Sequence, residues 1–315
     1  MNKERLNYSH YIGIDVSKLT IDVCIDCKKD TFSYENSREG FNKLWLDHRA
    51  SLNGSLVVVE TTGWHEKAVL AFLVMKKVTV HRAAARQVKR FIQSYGTMAK
   101  TDSIDARALS KYAKERAENL LPYSKPDKTQ DKLQVLYSHY TDLTKALVQE
   151  KNRIQSPGYD CVVKSIKKII NILEQQIAIV IDKINKIIMS NEAMKNKFHI
   201  LKTVDGIGDK TAIALIASMP ELGSISRKQA ASLSGLAPHP NDSGKNNGYR
   251  RTKGGRHNIK EILHMAALGA IRKKDSVLSE FFRHLVNNNH KKKMVALTAV
   301  KRKIIVIANA RLAAL

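Results

Sequence analysis

Four acidic side chains occupy positions where a carboxylate would need a cation or hydrogen-bond donors beside it. Asp15 and Glu60 each end an apolar, strand-like run, and a buried carboxylate without a cation or hydrogen-bond donors is unfavourable. Asp102 and Asp105 are three residues apart, a spacing that puts both on one face of a helix. Four converging carboxylates repel one another unless a hard divalent cation neutralises them. We therefore predict a Mg²⁺ or Mn²⁺ site of the kind that serves phosphoryl transfer.

Each of these acids also has an ordinary explanation. A carboxylate at the end of a strand is commonly solvated, and two aspartates at the start of a helix can simply interact with the helix dipole. The metal-site prediction therefore depends on the combination of the four acids and on the fold that brings them together.

The hydrophobic pattern predicts the elements that position these acids. Apolar or alternating runs indicate strands, and runs with helical spacing indicate helices between them. The predicted strands are Tyr11–Asp15, Thr20–Ile25, Thr31–Tyr34, Leu56–Glu60 and Val78–His81, with helices over Arg38–Ser51, from about Trp64 and beyond Arg86. Three antiparallel strands followed by strand–helix units make an α/β domain with a mixed sheet and helices on its faces.

The rest of the chain is predicted to be helical. From about Lys128 the strand-like sequence disappears, and two long helices, Gln130–Ile154 and Cys161–Asn196, are broken at Ser156–Gly158. The apolar stripe of the second helix favours a helical hairpin or coiled-coil arm, in which the stripe is a helix core or a dimer seam. The predicted division is a sheet domain at 8–125, an arm at 126–198 and a helical domain at 199–315.

The chain is strongly basic. Its 54 Lys and Arg residues exceed its 29 Asp and Glu residues, for a net charge of +25, and residues 244–315 hold 17 basic and three acidic side chains. Such an excess indicates a polyanionic partner, and nucleic acid is the leading candidate. Aromatic residues make up only 6% and do not alternate with basic ones, which favours duplex or structured nucleic acid over a single-strand stacking surface.

Membrane insertion and secretion are not expected. The N-terminal residues are polar, and the longest apolar runs are much shorter than a membrane span, so we expect a cytoplasmic protein. Three cysteines argue against a disulfide framework, and Cys24 and Cys27, in strand-like sequence, are predicted to point to opposite faces. The histidines lack a convincing zinc-ligand spacing and are predicted to be surface or turn residues: His81, His257 and His264.

Three segments of the first half resemble a known family. The acids fall on a first strand, a fourth strand and a late helix, the order found in ribonuclease-H-like nucleases of the Holliday-junction resolvase type. Tyr11–Lys18, Val59–Gly63 and Lys100–Ala106 closely resemble the N-terminal domain of the DEDD transposases of bacterial insertion sequences. That family includes a pilin-gene invertase and is also called the bridge recombinases. The resemblance implies that the metal is bound by Asp15, Glu60, Asp102 and Asp105.

The resemblance continues through the C-terminal half. The segments that carry it are Leu233–Pro238, Ser243-Gly244, Thr252–Arg256 and His290–Val300. It implies that Ser243 attacks DNA, and a serine hydroxyl can form a phosphoserine ester that preserves the phosphodiester bond energy for rejoining. From the residues alone, Ser243 is an ordinary turn residue of a polar loop, and Ser234, in an apolar segment, is a weak rival.

Further residues are suited to nucleic-acid contact. Leu201–Thr211 has the glycine spacing of a helix-hairpin-helix motif, in which backbone N–H groups approach a phosphate, although a simple turn between helices is similar. Basic residues ahead of the aspartate pair and around Ser243 are suited to guiding a substrate, although solvated helix faces share this pattern. The predicted contacts are Arg82, Arg86, Lys89, Arg90, Lys100, Gly206, Gly208, Lys210, Lys245, Arg250, Arg251, Lys253 and Arg256.

Together these features predict a DNA recombinase with a helical transposase domain, acting at the bacterial nucleoid. Its partners are expected to be duplex DNA at the element ends and target, and further copies of the chain as a dimer or tetramer. The resemblance also implies a structured guide RNA encoded by the element. The alternatives are a site-specific invertase of the same family, a metal-dependent junction nuclease that uses water and does not need Ser243, and a non-catalytic nucleic-acid-binding protein.

Overall fold

The computed structural model of the chain describes residues 8–95, 102–124, 127–240, 248 and 250–315, with the backbone alone for 102–104 and 257. The chain divides into two compact units, with the boundary between Pro126 and Asp127. The first contains a sheet covered by helices, and the described part of the second is helical apart from one short hairpin.

The first unit is built on a mixed five-stranded sheet. Its strands are β1 (Tyr11–Val16), β2 (Thr20–Ile25), β3 (Thr31–Glu35), β4 (Leu56–Glu60) and β5 (Thr79–Ala83), in the order β3-β2-β1-β4-β5. β2 is antiparallel to β1 and β3, whereas β1, β4 and β5 run parallel. The prediction of an α/β fold with a mixed sheet is confirmed, and the arrangement is consistent with a ribonuclease-H-like domain.

Helices cover both faces of this sheet. They are α1 (Arg38–Leu52), α2 (Lys67–Met75), α3 (Ala85–Gln93) and α4 (Asp102–Arg116), and a 3₁₀ turn follows at Ala117–Asn119. On one face Ile14 belongs to a core that includes Leu44 of α1 and Leu70 of α2. On the other, Val58 belongs to a core that includes Leu109 of α4. Both faces are buried, which explains the nearly continuous apolar sequence of β1 and β4.

Two local expectations in this unit are wrong. The helix predicted from about Trp64 begins at Lys67, because Trp64 has a φ of 137°. Cys27 lies beyond β2 in a left-handed turn with a φ of 58°, so the two thiols do not alternate along one strand. Cys27 Sγ lies 3.6 Å from the Ser110 hydroxyl, and Cys24 is buried, which raises the pKa of its thiol. Both cysteines are free.

The second unit begins with two long helices that pack against each other. Its helices are α5 (Lys128–Ile154), α6 (Val163–Ser190), α7 (Glu192–Lys202), α8 (Asp209–Ser218), α9 (Arg227–Leu233), α10 (His257–Arg272), α11 (Val277–Arg283) and α12 (Lys293–Ala313). A 3₁₀ turn spans Asp160–Val162, and a π-helical turn spans His284–Asn288. A two-stranded antiparallel hairpin is formed by β6 (Pro238–His239) and β7 (Arg251–Thr252).

The second long helix is shorter than predicted. It ends at Ser190 rather than Asn196, because Asn191 leaves the helical conformation and its side chain caps α7 by accepting from the Met194 N–H at 3.0 Å. Leu133 and Ile184, from the long helices, share one core with Ile304 of α12. The three-part domain division stays a prediction. Across the described residues, no helix is long and apolar enough to cross a membrane.

Candidate functional site

Two of the four predicted acids lie side by side at strand ends. β1 and β4 are parallel with Ile14 opposite Val59, so the next residues, Asp15 and Glu60, are neighbours at the carboxyl ends of the strands. Ile14 and Val59 both face the side covered by α1 and α2, and successive side chains alternate. Asp15 and Glu60 therefore face the other side, toward α4, where both are half-buried.

Helix α4 brings the third acid to the same edge of the sheet. At Gly13 a Cβ atom would lie 2.1 Å from the Ala106 carbonyl oxygen, so only glycine allows this close approach of helix and strand. Farther along α4, the Ser110 hydroxyl donates to the Tyr11 carbonyl oxygen at 2.8 Å. α4 thus runs antiparallel to β1, and its first turn, which includes Asp105, lies toward the carboxyl end of β1.

These positions bear directly on the predicted metal site. Asp102 is the first residue of α4, and its side chain lies outside the described residues. The side chains of Asp15, Glu60 and Asp105 each have an interaction partner. Among the described side chains, no three His, Cys, Asp or Glu residues are arranged to hold a metal ion. The carboxylate oxygens at the two adjacent strand ends are of the donor type that fits a hard divalent cation.

A fifth acid, which the sequence analysis did not predict, lies beside this site. Asp22 of β2 is directly opposite Asp15 in the antiparallel ladder and is half-buried. Cross-strand partners share a face, so Asp22 also points toward α4. The position of Asp22 could have been predicted from the sequence, because the short loop between β1 and β2 fixes the register of the two strands.

The loop after Glu60 is held by a buried ion pair. The Glu66 carboxylate is 0% exposed and accepts from Arg82 at 2.6 and 3.1 Å and from the Trp64 N–H at 3.0 Å. Burial alone would raise the pKa of Glu66, but the hydrogen bonds from the backbone and from Arg82 outweigh it and lower that pKa. Arg82, a predicted nucleic-acid contact, therefore has a structural partner.

Hydrogen bonds from one side chain link the loops that follow the two strand-end acids. The Asn36 amide nitrogen donates to the Ser17 carbonyl oxygen at 2.9 Å and to the His65 carbonyl oxygen at 3.2 Å. Ser17 follows β1, and His65 lies in the loop after β4. Neither Asn36 nor Glu66 was predicted, because their roles depend on contacts between separate parts of the chain.

The remaining predicted nucleic-acid contacts of the first unit, apart from Lys100, lie on α3. Arg86, Lys89 and Arg90 are exposed, whereas Lys100 is outside the described residues. Arg90 and Arg116 line an open cavity of about 650 Å³. His81 also lines this cavity, and its Nδ1 lies 2.8 Å from the Leu121 carbonyl oxygen, so this histidine has a structural contact.

The predicted glycine motif forms the connection between α7 and α8, where its two glycines have different roles. Gly206 has a φ of 85°, and a Cβ atom there would lie 2.1 Å from the Ala266 carbonyl oxygen of α10. Gly206 is therefore required for helix packing. Gly208 is the exposed N-cap of α8 and has open space around it. Lys210, also exposed, follows it in the first turn of α8.

The predicted nucleophile falls between β6 and β7 in the chain. Ser243 and Lys245 lie outside the described residues, whereas Arg251 and Lys253 are exposed and Arg250 has an interaction partner. The hairpin is anchored to the helical unit at its base. Two glycines make this close packing possible, because a Cβ atom at Gly255 would lie 2.1 Å from the Gly235 amide nitrogen.

Two other residues near this hairpin are already engaged. The Arg256 guanidinium pairs with Glu221 at 2.5 Å and donates to the Ser218 carbonyl oxygen. Ser234 is buried, and its hydroxyl donates to the Ala230 and Ala231 carbonyl oxygens at 2.8 and 3.1 Å. These contacts agree with the prediction that Ser234 belongs to a packing segment.

The sequence matches two protein-family models. Residues 12–157 match a model described as a transposase, that of the IS110 DEDD transposases, and residues 198–283 match a model described as the transposase IS116/IS110/IS902 family. The first region contains the four predicted acids, and the second contains Ser243 and the β6–β7 hairpin. No curated protein matches the chain.

Proposed function

The chain belongs to the IS110 family of DEDD transposases, and we propose on that premise that it cleaves and rejoins DNA at the ends of an insertion sequence. As a transposase it is an enzyme that acts on DNA. The observation that carries the proposal is that three acids lie toward one edge of the sheet, with Asp15 and Glu60 at adjacent strand ends and Asp105 in the first turn of the helix packed at Gly13.

In this proposal the four acids hold the divalent metal. Asp15, Glu60, Asp102 and Asp105 would be its protein ligands, and the bound cation would neutralise charge on a phosphodiester as it reacts. The protein's own contribution is to position the acids. Gly13 lets α4 approach β1, and the Glu66–Arg82 pair and Asn36 hold the loops beyond the strand ends.

We assign the nucleophile to Ser243. Its Oγ would attack the phosphorus of a DNA phosphodiester, forming an Oγ–P bond while the P–O bond to one deoxyribose breaks. The serine proton passes to solvent, and the leaving oxygen takes up a proton. Attack by a deoxyribose hydroxyl on the phosphoserine then reverses these changes and joins new strands. Family membership and the place of Ser243 inside the second matched region support this assignment.

The partners follow from the same proposal. A net charge of +25 suits a protein that binds duplex DNA together with a structured guide RNA. Strand exchange requires at least two cleavage events, so we propose that the chain acts as a dimer or tetramer. The long helices α5 and α6, whose exposed apolar side chains include Ile169 and Ile172, are suited to such an interface.

The acidic site is tested by cleavage of labelled duplex DNA spanning the element's end, in the presence of Mg²⁺. We expect Asp15→Asn to lose cleavage while retaining duplex binding, because the variant removes a metal ligand and no basic residue. Asp30→Asn, an exposed acid in the turn between β2 and β3, is the matched control and should cleave like the wild type. Equal cleavage by Asp15→Asn and the wild type would contradict the proposed site.

A further inference from the structure

The open cavity of the sheet unit lies on the face of the sheet that α3 and α4 cover. Its volume of about 650 Å³ is within the range of sites that hold a small ligand. Phe91 of α3 and Tyr112 of α4 line the cavity, and both belong to the core beneath these helices. Arg116, which also lines it, comes 11 residues after Asp105 in α4, so about 16 Å of helix separate the two. The cavity is therefore distinct from the predicted metal site.

The charged groups of this cavity are positive. Two arginines line it, Arg90 of α3 and Arg116 of α4, and none of its described lining residues is acidic. Both arginines are exposed, and neither guanidinium forms an ion pair or a hydrogen bond with another described residue. Glu115, the acid next to Arg116 in the chain, accepts instead from the Tyr95 hydroxyl and lies 3.9 Å from Lys111 Nζ. An anion that enters the cavity would therefore meet two guanidinium groups free to bind it.

Aromatic and amide side chains complete the lining. The ring centroids of Phe91 and Tyr112 are 5.1 Å apart in an edge-to-face arrangement, and the Arg116 guanidinium lies 5.9 Å from the Phe91 ring centroid. Gln87 and Asn119, both exposed, contribute amide groups that can donate and accept hydrogen bonds. Guanidinium groups suit a phosphate, aromatic rings suit the face of a base, and amides suit its edge. The cavity thus offers a contact for each part of a nucleotide.

We propose that this cavity binds one unpaired nucleotide, with its phosphate between Arg90 and Arg116 and its base against Phe91 and Tyr112. The nucleotide must be unpaired, because a base within a duplex is stacked and its edge is occupied by its partner. The proposal rests on the proposed function for the source of the nucleotide, which is an unpaired stretch of the guide RNA or of the DNA strands being exchanged. The exposed Lys89 beside Arg90 extends the positive charge along α3 for the neighbouring phosphates.

Thermal unfolding of the full chain tests the site with adenosine monophosphate as the probe. Arg116→Gln is compared with Lys114→Gln, which removes an exposed charge from the same helix outside the cavity. Adenosine monophosphate should raise the melting temperature of the wild type and of Lys114→Gln more than inorganic phosphate does at equal ionic strength, because the base adds contacts with the aromatic rings.

Arg116→Gln should lose most of this increase, and Arg90→Gln is a second variant with the same expected loss. Equal effects of phosphate and adenosine monophosphate on the wild type would overturn the nucleotide site. An equal effect of adenosine monophosphate on the wild type and on both arginine variants would overturn it as well.

Labelled single-stranded RNA and DNA of one sequence distinguish the two sources. Fluorescence anisotropy across a salt series should show about tenfold weaker binding by Arg116→Gln of the strand that supplies the nucleotide, with a salt dependence smaller by about 0.7. Lys114→Gln should bind both strands within about twofold of the wild type. Wild-type affinity of Arg116→Gln for both strands would overturn the assignment to nucleic acid. An adenosine monophosphate effect that depends on Arg116, in a protein that binds neither strand and does not cleave the element's DNA, would keep the nucleotide site and reject the proposed function.

Discussion

Glu66 of the sheet unit and Lys301 of the helical unit are both buried charged residues, but only Glu66 has a partner of opposite charge. Glu66 accepts hydrogen bonds from Arg82 and from the loop that follows Glu60. Lys301 has no acidic partner in the described part of the chain, and its burial lowers the pKa of its ammonium group. A paired buried ion holds a loop in place, whereas an unpaired one lowers stability.

The sheet unit uses its buried charge to position a loop, whereas the helical unit leaves its buried charge without a partner of opposite sign. In the sheet unit the predicted metal ligands Asp15 and Glu60 are half-buried at strand ends, and the fully buried Glu66 holds the loop beside them. In the helical unit the buried cation lies on α12, between the fully buried Val300 and Ile304. Substitutions at the two buried charges should therefore change stability in opposite directions.

The largest expected effect is at Glu66. Glu66→Ala leaves Arg82 and the N–H groups of the 62–64 loop without their acceptor, so we expect the free energy of unfolding of the sheet unit to fall by about 3 kcal/mol. Both tryptophans, Trp45 and Trp64, lie in this unit, so urea unfolding followed by tryptophan fluorescence reports on it specifically. Asp30→Ala, at an exposed position, should change the urea midpoint little. An equal change of the midpoint in both variants would contradict a structural role for the Glu66–Arg82 pair.

A smaller effect of opposite sign is expected at Lys301. Lys301→Met should raise the free energy of unfolding of the helical unit by about 1 kcal/mol near neutral pH, because it removes an unpaired buried charge. The folded-state pKa of Lys301 lies below its ordinary value of 10.5, so the unfolded chain binds the additional proton between these two pKa values. The wild type should therefore gain stability as pH rises through that window, and the advantage of the variant should shrink. Urea unfolding followed by circular dichroism measures this, and destabilisation by Lys301→Met at all pH values would contradict it.

The smallest expected effect is the acid dependence of the sheet unit. The folded-state pKa of Glu66 lies below its ordinary value of 4.5, so its contribution is fully present above pH 4.5 and is lost as pH falls through the lowered pKa. The urea midpoint, followed by tryptophan fluorescence, should decline less with acid in Glu66→Gln than in the wild type. If the urea midpoint declines equally with acid in both proteins, other carboxylates account for the acid sensitivity.

Much of the sheet unit could be predicted from the sequence because its pattern is local. β1 and β4 are buried on both faces, and their apolar runs end at the acids. The start of α2 could not be predicted, because Trp64 is held outside the helical conformation by Glu66, which is itself fixed by Arg82 on another strand. Likewise, the end of α6 depends on one capping residue, Asn191, inside a continuous helical pattern.

The chemistry of the site was predictable only as residue types and their order. Asp15 and Glu60 were found from their places at strand ends, whereas Asp22 required the hairpin register. Gly206 resembled a phosphate-binding glycine in sequence, but its φ and its contact with Ala266 give it a packing role. Lys301 carries no sequence signal, because its burial arises from the packing of α12 against the other helices of the unit.

The central claim is that a metal-binding acidic site and a serine nucleophile act together on DNA. The most direct test is a denaturing gel of the purified protein, with any co-purifying RNA retained, after incubation with Mg²⁺ and labelled DNA spanning the element's junction. Wild type, Ser243→Ala and Asp15→Asn are compared. We predict a covalent protein–DNA band in the wild type and in neither variant. Free cleaved DNA in both the wild type and Ser243→Ala, without any covalent band, would contradict the claim and indicate a nuclease that uses water.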